Sequence, residues 1–199
     1  MKIWEHFPNR SLLSGKPISD IFIERDIHNF HDACQYVHNL PYGYNSDRDD
    51  LLILFRENFG SCTTKHAVIA TLAQELCLPI QKAMVIYAMT ERLVTGTQSI
   101  LARYNLPYIP MIHCLLLYAD YRVDLTQGNQ NGKNHPIDDL LFSHPVAANI
   151  SAKDEYRLYR QALDNLVQKN TDLQGIPIKL ILKARQDGLI LLKNKIRQL

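Results

Sequence analysis

The segment 60–79, GSCTTKHAVIATLAQELCLP, constrains the fold more than any other stretch of the chain. Cys62, His66, Ile69, Ala73 and Leu76 recur at spacings of four, three, four and three, which stacks them on one face of an α-helix. Gly60 supplies a turn just before it, Ser61 is a suitable N-cap, and Pro79 closes it. Cys62 therefore falls in the first helical turn, where unpaired backbone N–H groups and the positive end of the helix dipole gather. A thiol there is placed to ionise, because its ordinary pKa of about 8.5 falls beside a helix N-terminus or a cation. Lys65, one turn on, either adds positive potential or faces solvent.

Upstream, the apolar spacing of Ile21, Phe22, Cys34 and Val37 predicts a helical stretch over 18–40, with Arg25 within it, ending at the turn-rich LPYGYNSDRDD. A shorter helix is expected at 49–58. Strands are expected at about 81–89, 111–118 and 122–126, each rich in β-branched, aromatic or aliphatic residues, with a short helix near 100–104 between the first two. QGNQNGKNHP after Thr126 reads as turn or coil, and two helices follow at about 153–169 and 177–197. The order of elements predicts an α+β fold rather than a doubly wound one.

At 199 residues and 46% apolar content the chain can bury one sizeable core. A single domain, 1–199, is expected: a core at about 41–130, a helical N-terminal segment over 1–40 and a helical C-terminal extension over 150–199. The net charge of +2 excludes a strongly basic nucleic-acid binder as the first expectation. Lys179, Lys183, Arg185, Lys193, Lys195 and Arg197 against Asp187 read as a solvated basic face of the last helix, with an acidic partner or a nucleic-acid backbone as the lesser alternative. No leader or membrane span is expected, and a cytoplasmic location with free thiols follows, since Cys34, Cys62, Cys77 and Cys114 form no CxxC pair. Cys34, Cys77 and Cys114 are expected to fill core space, with Cys114 facing away from His113.

A cysteine nucleophile needs a base and a group that orients the base. His113 in IHCLLLY and Asp124 in RVDLT lie on successive predicted strands joined near Ala119 and Asp120. A loop of two or four residues puts them on the same face of an antiparallel hairpin; a three-residue loop separates them. For an acyl-transfer site the backbone N–H of Cys62 is one oxyanion donor, and Gln35, Tyr42, Tyr44 and Asn45 are candidates for the second, with the turn-borne Asn45 preferred. Tyrosines at 42, 44, 104, 108, 118 and 121 cluster around these segments, as either substrate groove or ordinary packing.

The strings GSCTTKHAVIATLAQELCLPIQKAMVI, IHCLLLY and YRVDLT together resemble the transglutaminase-like superfamily of papain-like thiol enzymes, over about residues 60–126. The resemblance implies a nucleophile helix packed on an antiparallel sheet, Cys62 as nucleophile, His113 as general base and acid, and Asp124 as its orienter. It implies a thioester intermediate, a peptide, protein or small amide substrate, and no metal or organic cofactor. Two other classes stand beside it. One is an inactive binding or scaffold protein, favoured by the lack of a tryptophan beside His113 or before Asp124. The other is a metal-binding module built from Cys62, His66 and His113, whose sulfur and imidazole donors suit zinc.

Overall fold

The computed structural model describes residues 2–197 and is a mixed α+β structure with seven α-helices and one four-stranded antiparallel sheet among them. The first predicted helix is two. α1 (Pro17–Ile23) and α2 (Phe30–Asn39) are separated by a turn in which Asp26 takes φ +59°, and α2 starts afresh where Asn29 accepts from the Asp32 N–H at 3.0 Å. An apolar period spanning both helices is continuous in sequence, but the backbone reverses between them. Arg25 accordingly lies in the turn, not in a helix. α3 (Ile53–Glu57) is only five residues, ended by Asn58 in the left-handed region.

α4 (Cys62–Glu75) begins at Cys62, with Ser61 as its N-cap. Eleven of its fourteen residues are buried, so it is a central helix enclosed on nearly all sides rather than an amphipathic one. Lys65 does not face solvent, and its ammonium is turned to backbone carbonyls. It is fully buried, its ammonium donating to the carbonyls of His38 (3.2 Å) and Leu40, and burial pulls its pKa down to about 7.

The sheet runs β3-β2-β1-β4, formed by β1 (Gln81–Met89), β2 (Ile109–Tyr118), β3 (Tyr121–Val123) and β4 (Leu140–Val146), with α5 (Thr97–Tyr104) between β1 and β2. β4 was not expected from the sequence. It is a half-exposed edge strand whose Ser143, His144 and Pro145 read as coil, and an edge tolerates a proline that a central strand does not. α6 (Ala152–Lys169) and α7 (Ile178–Arg197) complete the fold. The side chain of Arg197, one of the residues of the expected basic face, lies outside the described residues.

Two apolar clusters hold these elements. One gathers Phe22, Phe30, Val37, Leu54, Ile69 and Leu72 from α1–α4 onto Leu116 and Val123 of the sheet. The other gathers Met84, Met89 and Met111 with Tyr159, Leu163, Ile181 and Leu192 of α6 and α7. The C-terminal helices thus belong to the core. α7 approaches the sheet closely at Gly188, where a Cβ would sit 3.0 Å from Met89 Cε. Gly60 is tighter still: a Cβ there would meet Leu54 Cδ1 at 2.4 Å and Thr64 Oγ1 at 2.7 Å. Gly60→Ala is expected to lower unfolding stability by about 1–3 kcal/mol, read as a reduced midpoint in urea denaturation. Cys77 is exposed at the end of α4, at φ +52°, and does not fill core space; Cys34 and Cys114 are buried as expected.

Candidate active site

β2 and β3 are joined by a two-residue loop, Ala119 and Asp120, with Tyr118 paired to Tyr121 and Leu116 to Val123. The next position in that register, Asp124, falls diagonal to His113 on the same face, as an even-length loop requires. His113 Nε2 and Asp124 Oδ2 are 2.7 Å apart. Asp124 is held in place by its other oxygen, which accepts from the Thr126 N–H (2.8 Å) and hydroxyl (2.7 Å). The Asp-x-Thr spacing is therefore a local turn that aims one carboxylate oxygen at the imidazole.

Burial disfavours the charged form of His113, but the charges of Asp124 and Cys62 and the bond to Asp124 outweigh it and raise its pKa to about 9. Burial would likewise raise the pKa of Asp124, yet the His113 charge and hydrogen bond drive it well below the carboxylate range. The pair is an aspartate-imidazolium at neutral pH.

Cys62 opens onto a cleft that His113 also lines, together with Tyr42, Tyr44, Tyr87 and Lys133. Its thiol is held well below the ordinary range, first by interaction with the Cys114 thiol, against burial, and then by the charge of and hydrogen bonding to His113 and the charge of Lys133. Cys114 moves the opposite way, staying a thiol. Although strand neighbours alternate, Cys62 meets both residues: it packs with Tyr42 and Cys114 in a small buried cluster while sharing the cleft with His113.

His66 is fully buried below the site. Its Nδ1 bonds the Cys62 carbonyl at 2.7 Å, and its Nε2 accepts from the Leu125 N–H at 2.9 Å. Those two partners define the neutral tautomer. Burial lowers its pKa to about 4, so the 3.6 Å approach of Nε2 to Asp124 is not an ion pair at neutral pH. His66 ties the first turn of α4 to the chain just after Asp124. Both ring nitrogens being engaged, neither is free to ligate a metal alongside Cys62 and His113.

Asn45 lines the cleft but is not a free oxyanion donor. Its amide donates to Phe59 O (2.8 Å) and Glu57 Oε2 (2.9 Å), and its carbonyl accepts from Thr64 Oγ1 at 2.7 Å. It braces the loop before α4 instead. Asn45→Ala is expected to cost about 1–2 kcal/mol of stability in chemical denaturation while leaving the pH dependence of Cys62 alkylation in place. Tyr42, another of the sequence candidates, lies beside Cys62 in the cleft. Burial, and then the negative charge of Cys62, push the Tyr42 phenol well above its usual pKa, and its hydroxyl interacts with both the thiol and the backbone N–H of Cys62. Tyr104, Tyr108, Tyr118 and Tyr121 do not line this cleft, whereas Tyr87 does.

Arg48, Glu155 and Arg185 line the cleft as well, and nothing in the motif around Cys62 pointed to them. Arg185 sits in the run read as a solvated face, but the helical period turns it inward. Against known proteins, the chain matches no family model, no curated protein and no solved structure at a significant level. Among the described residues, no helix is long and apolar enough to cross a membrane.

Proposed function

We propose that the protein is a transglutaminase-like thiol enzyme acting on an amide or related acyl bond. The observation that carries this reading is the arrangement of Cys62 at the N-terminus of a central helix, in one cleft with a His113 whose Nε2 is bonded to Asp124 at 2.7 Å. The Cys62 thiolate attacks the carbonyl carbon. His113, tied to Asp124 through Nε2, uses Nδ1 to protonate the leaving amine as the thioester forms. Water or an acceptor amine then attacks the thioester carbonyl, giving its proton to Nδ1, and the Cys62 sulfur leaves as thiolate. The developing oxyanion, on entry of the substrate, displaces the contact between the Cys62 N–H and the Tyr42 hydroxyl and takes both as donors, the raised pKa of Tyr42 keeping its hydroxyl protonated; losing one such donor costs about 3–4 kcal/mol of transition-state stabilisation. Water as acceptor makes the protein a peptidase or amidase, an amine makes it an acyltransferase.

The test is alkylation by iodoacetamide at pH 5–6, read by mass spectrometry on the peptide bearing Cys62. A preformed thiolate-imidazolium pair stays reactive there, whereas a free thiol of pKa about 8.5 is less than about 1% ionised. Labelling at least about tenfold faster than glutathione, with turnover of a 4-nitrophenyl ester, supports the enzyme. Labelling no faster than glutathione leaves the scaffold reading in its place.

A further inference from the structure

The cleft beside Cys62 carries more positive charge than the acyl-transfer chemistry uses. Arg48, Lys133 and Arg185 face it against one carboxylate, Glu155. Arg48 gives Glu155 a single bond, Nη1 to Oε2 at 2.7 Å, and its Nε and Nη2 are buried without a protein acceptor. Glu155 Oε1 is taken by the Cys114 thiol at 3.4 Å. Arg185 on α7 has no carboxylate within ion-pair distance among the described residues; its guanidinium lies 4.9 Å from the Tyr159 ring centroid, and its Nε is likewise buried without an acceptor. Lys133 sets its ammonium 5.9 Å from the Tyr42 ring and 5.7 Å from that of Tyr87, also without a carboxylate partner among those residues.

Buried guanidinium N–H groups left without acceptors are costly, and proteins rarely keep them without a use. Arginine's planar fork matches a carboxylate in two parallel bonds, and the Tyr159 ring supports the Arg185 guanidinium from 4.9 Å. We infer that the cleft selects a substrate carrying a carboxylate near its reacting carbonyl, with Arg185 and the free side of Arg48 receiving that carboxylate and Lys133 adding positive charge to the same cleft. The inference rests on the acyl-transfer reading of the same site, and names its substrate class: an acidic acyl donor such as a dicarboxylic monoamide, or a peptide with an acidic or C-terminal carboxylate beside the scissile bond.

The test compares two alkylating probes of nearly equal size, iodoacetate and iodoacetamide, at pH 6, each rate taken at Cys62 by mass spectrometry so that labelling of exposed Cys77 does not interfere. The iodoacetate-to-iodoacetamide ratio, normalised to that of glutathione, is expected to be about tenfold or more in the wild type and to shrink between 20 mM and 500 mM salt. His113 and Lys133 alone would also favour an anion, so the deciding variant is Arg185→Gln, in which the ratio is expected to fall several-fold while the iodoacetamide rate stays within about twofold. Arg185→Lys retains the charge and is expected to keep most of the ratio. A wild-type ratio equal to that of glutathione, or one unchanged in Arg185→Gln, overturns the inference even if iodoacetamide labelling is fast. Slow labelling by both probes instead overturns the enzyme reading beneath it.

Discussion

His113→Ala is expected to slow iodoacetamide alkylation of Cys62 at pH 6 by about 10²-fold and to lower any ester or amide turnover by about 10³-fold or more. Burial alone raises a thiol pKa, and in the intact site the positive charge of His113 is among the influences that reverse this for Cys62. Without the imidazolium, the Cys114 interaction and the Lys133 charge are left to oppose burial, and the thiolate fraction at pH 6 falls. Turnover falls further because the proton donor for the leaving group is gone as well. Cys62→Ala should abolish turnover altogether and remove the labelled peptide. Stopped-flow alkylation with peptide mass mapping measures the first effect and ester hydrolysis the second. Alkylation in His113→Ala at the wild-type rate would remove His113 from the mechanism.

The second large effect is the dependence on pH. Turnover should be bell-shaped, with an acid limb set by the depressed Cys62 thiol and an alkaline limb near pH 9, where His113 loses its proton. Asp124→Asn should move the alkaline limb to lower pH, because the carboxylate charge and hydrogen bond that hold His113 protonated are lost, and should reduce the maximum rate by about 10²–10⁴-fold. Stability follows the same linkage. The pKa of His113 is raised on folding from about 6.5 to about 9, so its contribution is complete below about pH 6.5 and declines as pH rises towards 9. That of Asp124 is depressed, so its contribution is present above about pH 4 and is lost as pH falls further. The depressed Cys62 thiol contributes the opposite slope over the same window, so the histidine contribution is tested without it: the stability difference between Cys62→Ser and Cys62→Ser/His113→Ala, from urea midpoints across pH 5–10, should be largest below pH 6.5 and shrink as pH rises towards 9. A difference between those two variants that does not change over that window contradicts a protonated, aspartate-bound His113.

Particular residues show how far the sequence could be read. Cys62 at the head of a helix was legible because N-caps, glycine turns and helical spacing are local signals. The union of His113 with Asp124 was legible only conditionally: strand parity made it depend on loop length, and the two-residue loop at Ala119 and Asp120 met the condition. The break between α1 and α2 was invisible because apolar period does not register a single left-handed residue, and β4 was invisible because an edge strand needs little apolar patterning. Lys65 and Arg185 were misplaced for one shared reason. A charged side chain in a helix reads as solvent-facing until its partners are known, and here those partners are carbonyls 25 and 27 residues away for one, and aromatic rings on another helix for the other.

What the sequence by itself determined is the chemistry on offer: a thiol at a helix N-terminus, an imidazole and a carboxylate on adjoining strands, and enough apolar residues to enclose them. Tertiary structure alone decided what surrounds that thiol. It turned Asn45 into a brace, brought the Tyr42 hydroxyl to Cys62, set His66 beneath the site as a neutral tie, and laid α7 along the cleft so that Arg185 joins Arg48 and Lys133 there. The physical reason is that pKa values, hydrogen-bond availability and burial belong to neighbourhoods, and the neighbours of Cys62 come from segments as far apart in the chain as Tyr42 and Leu192.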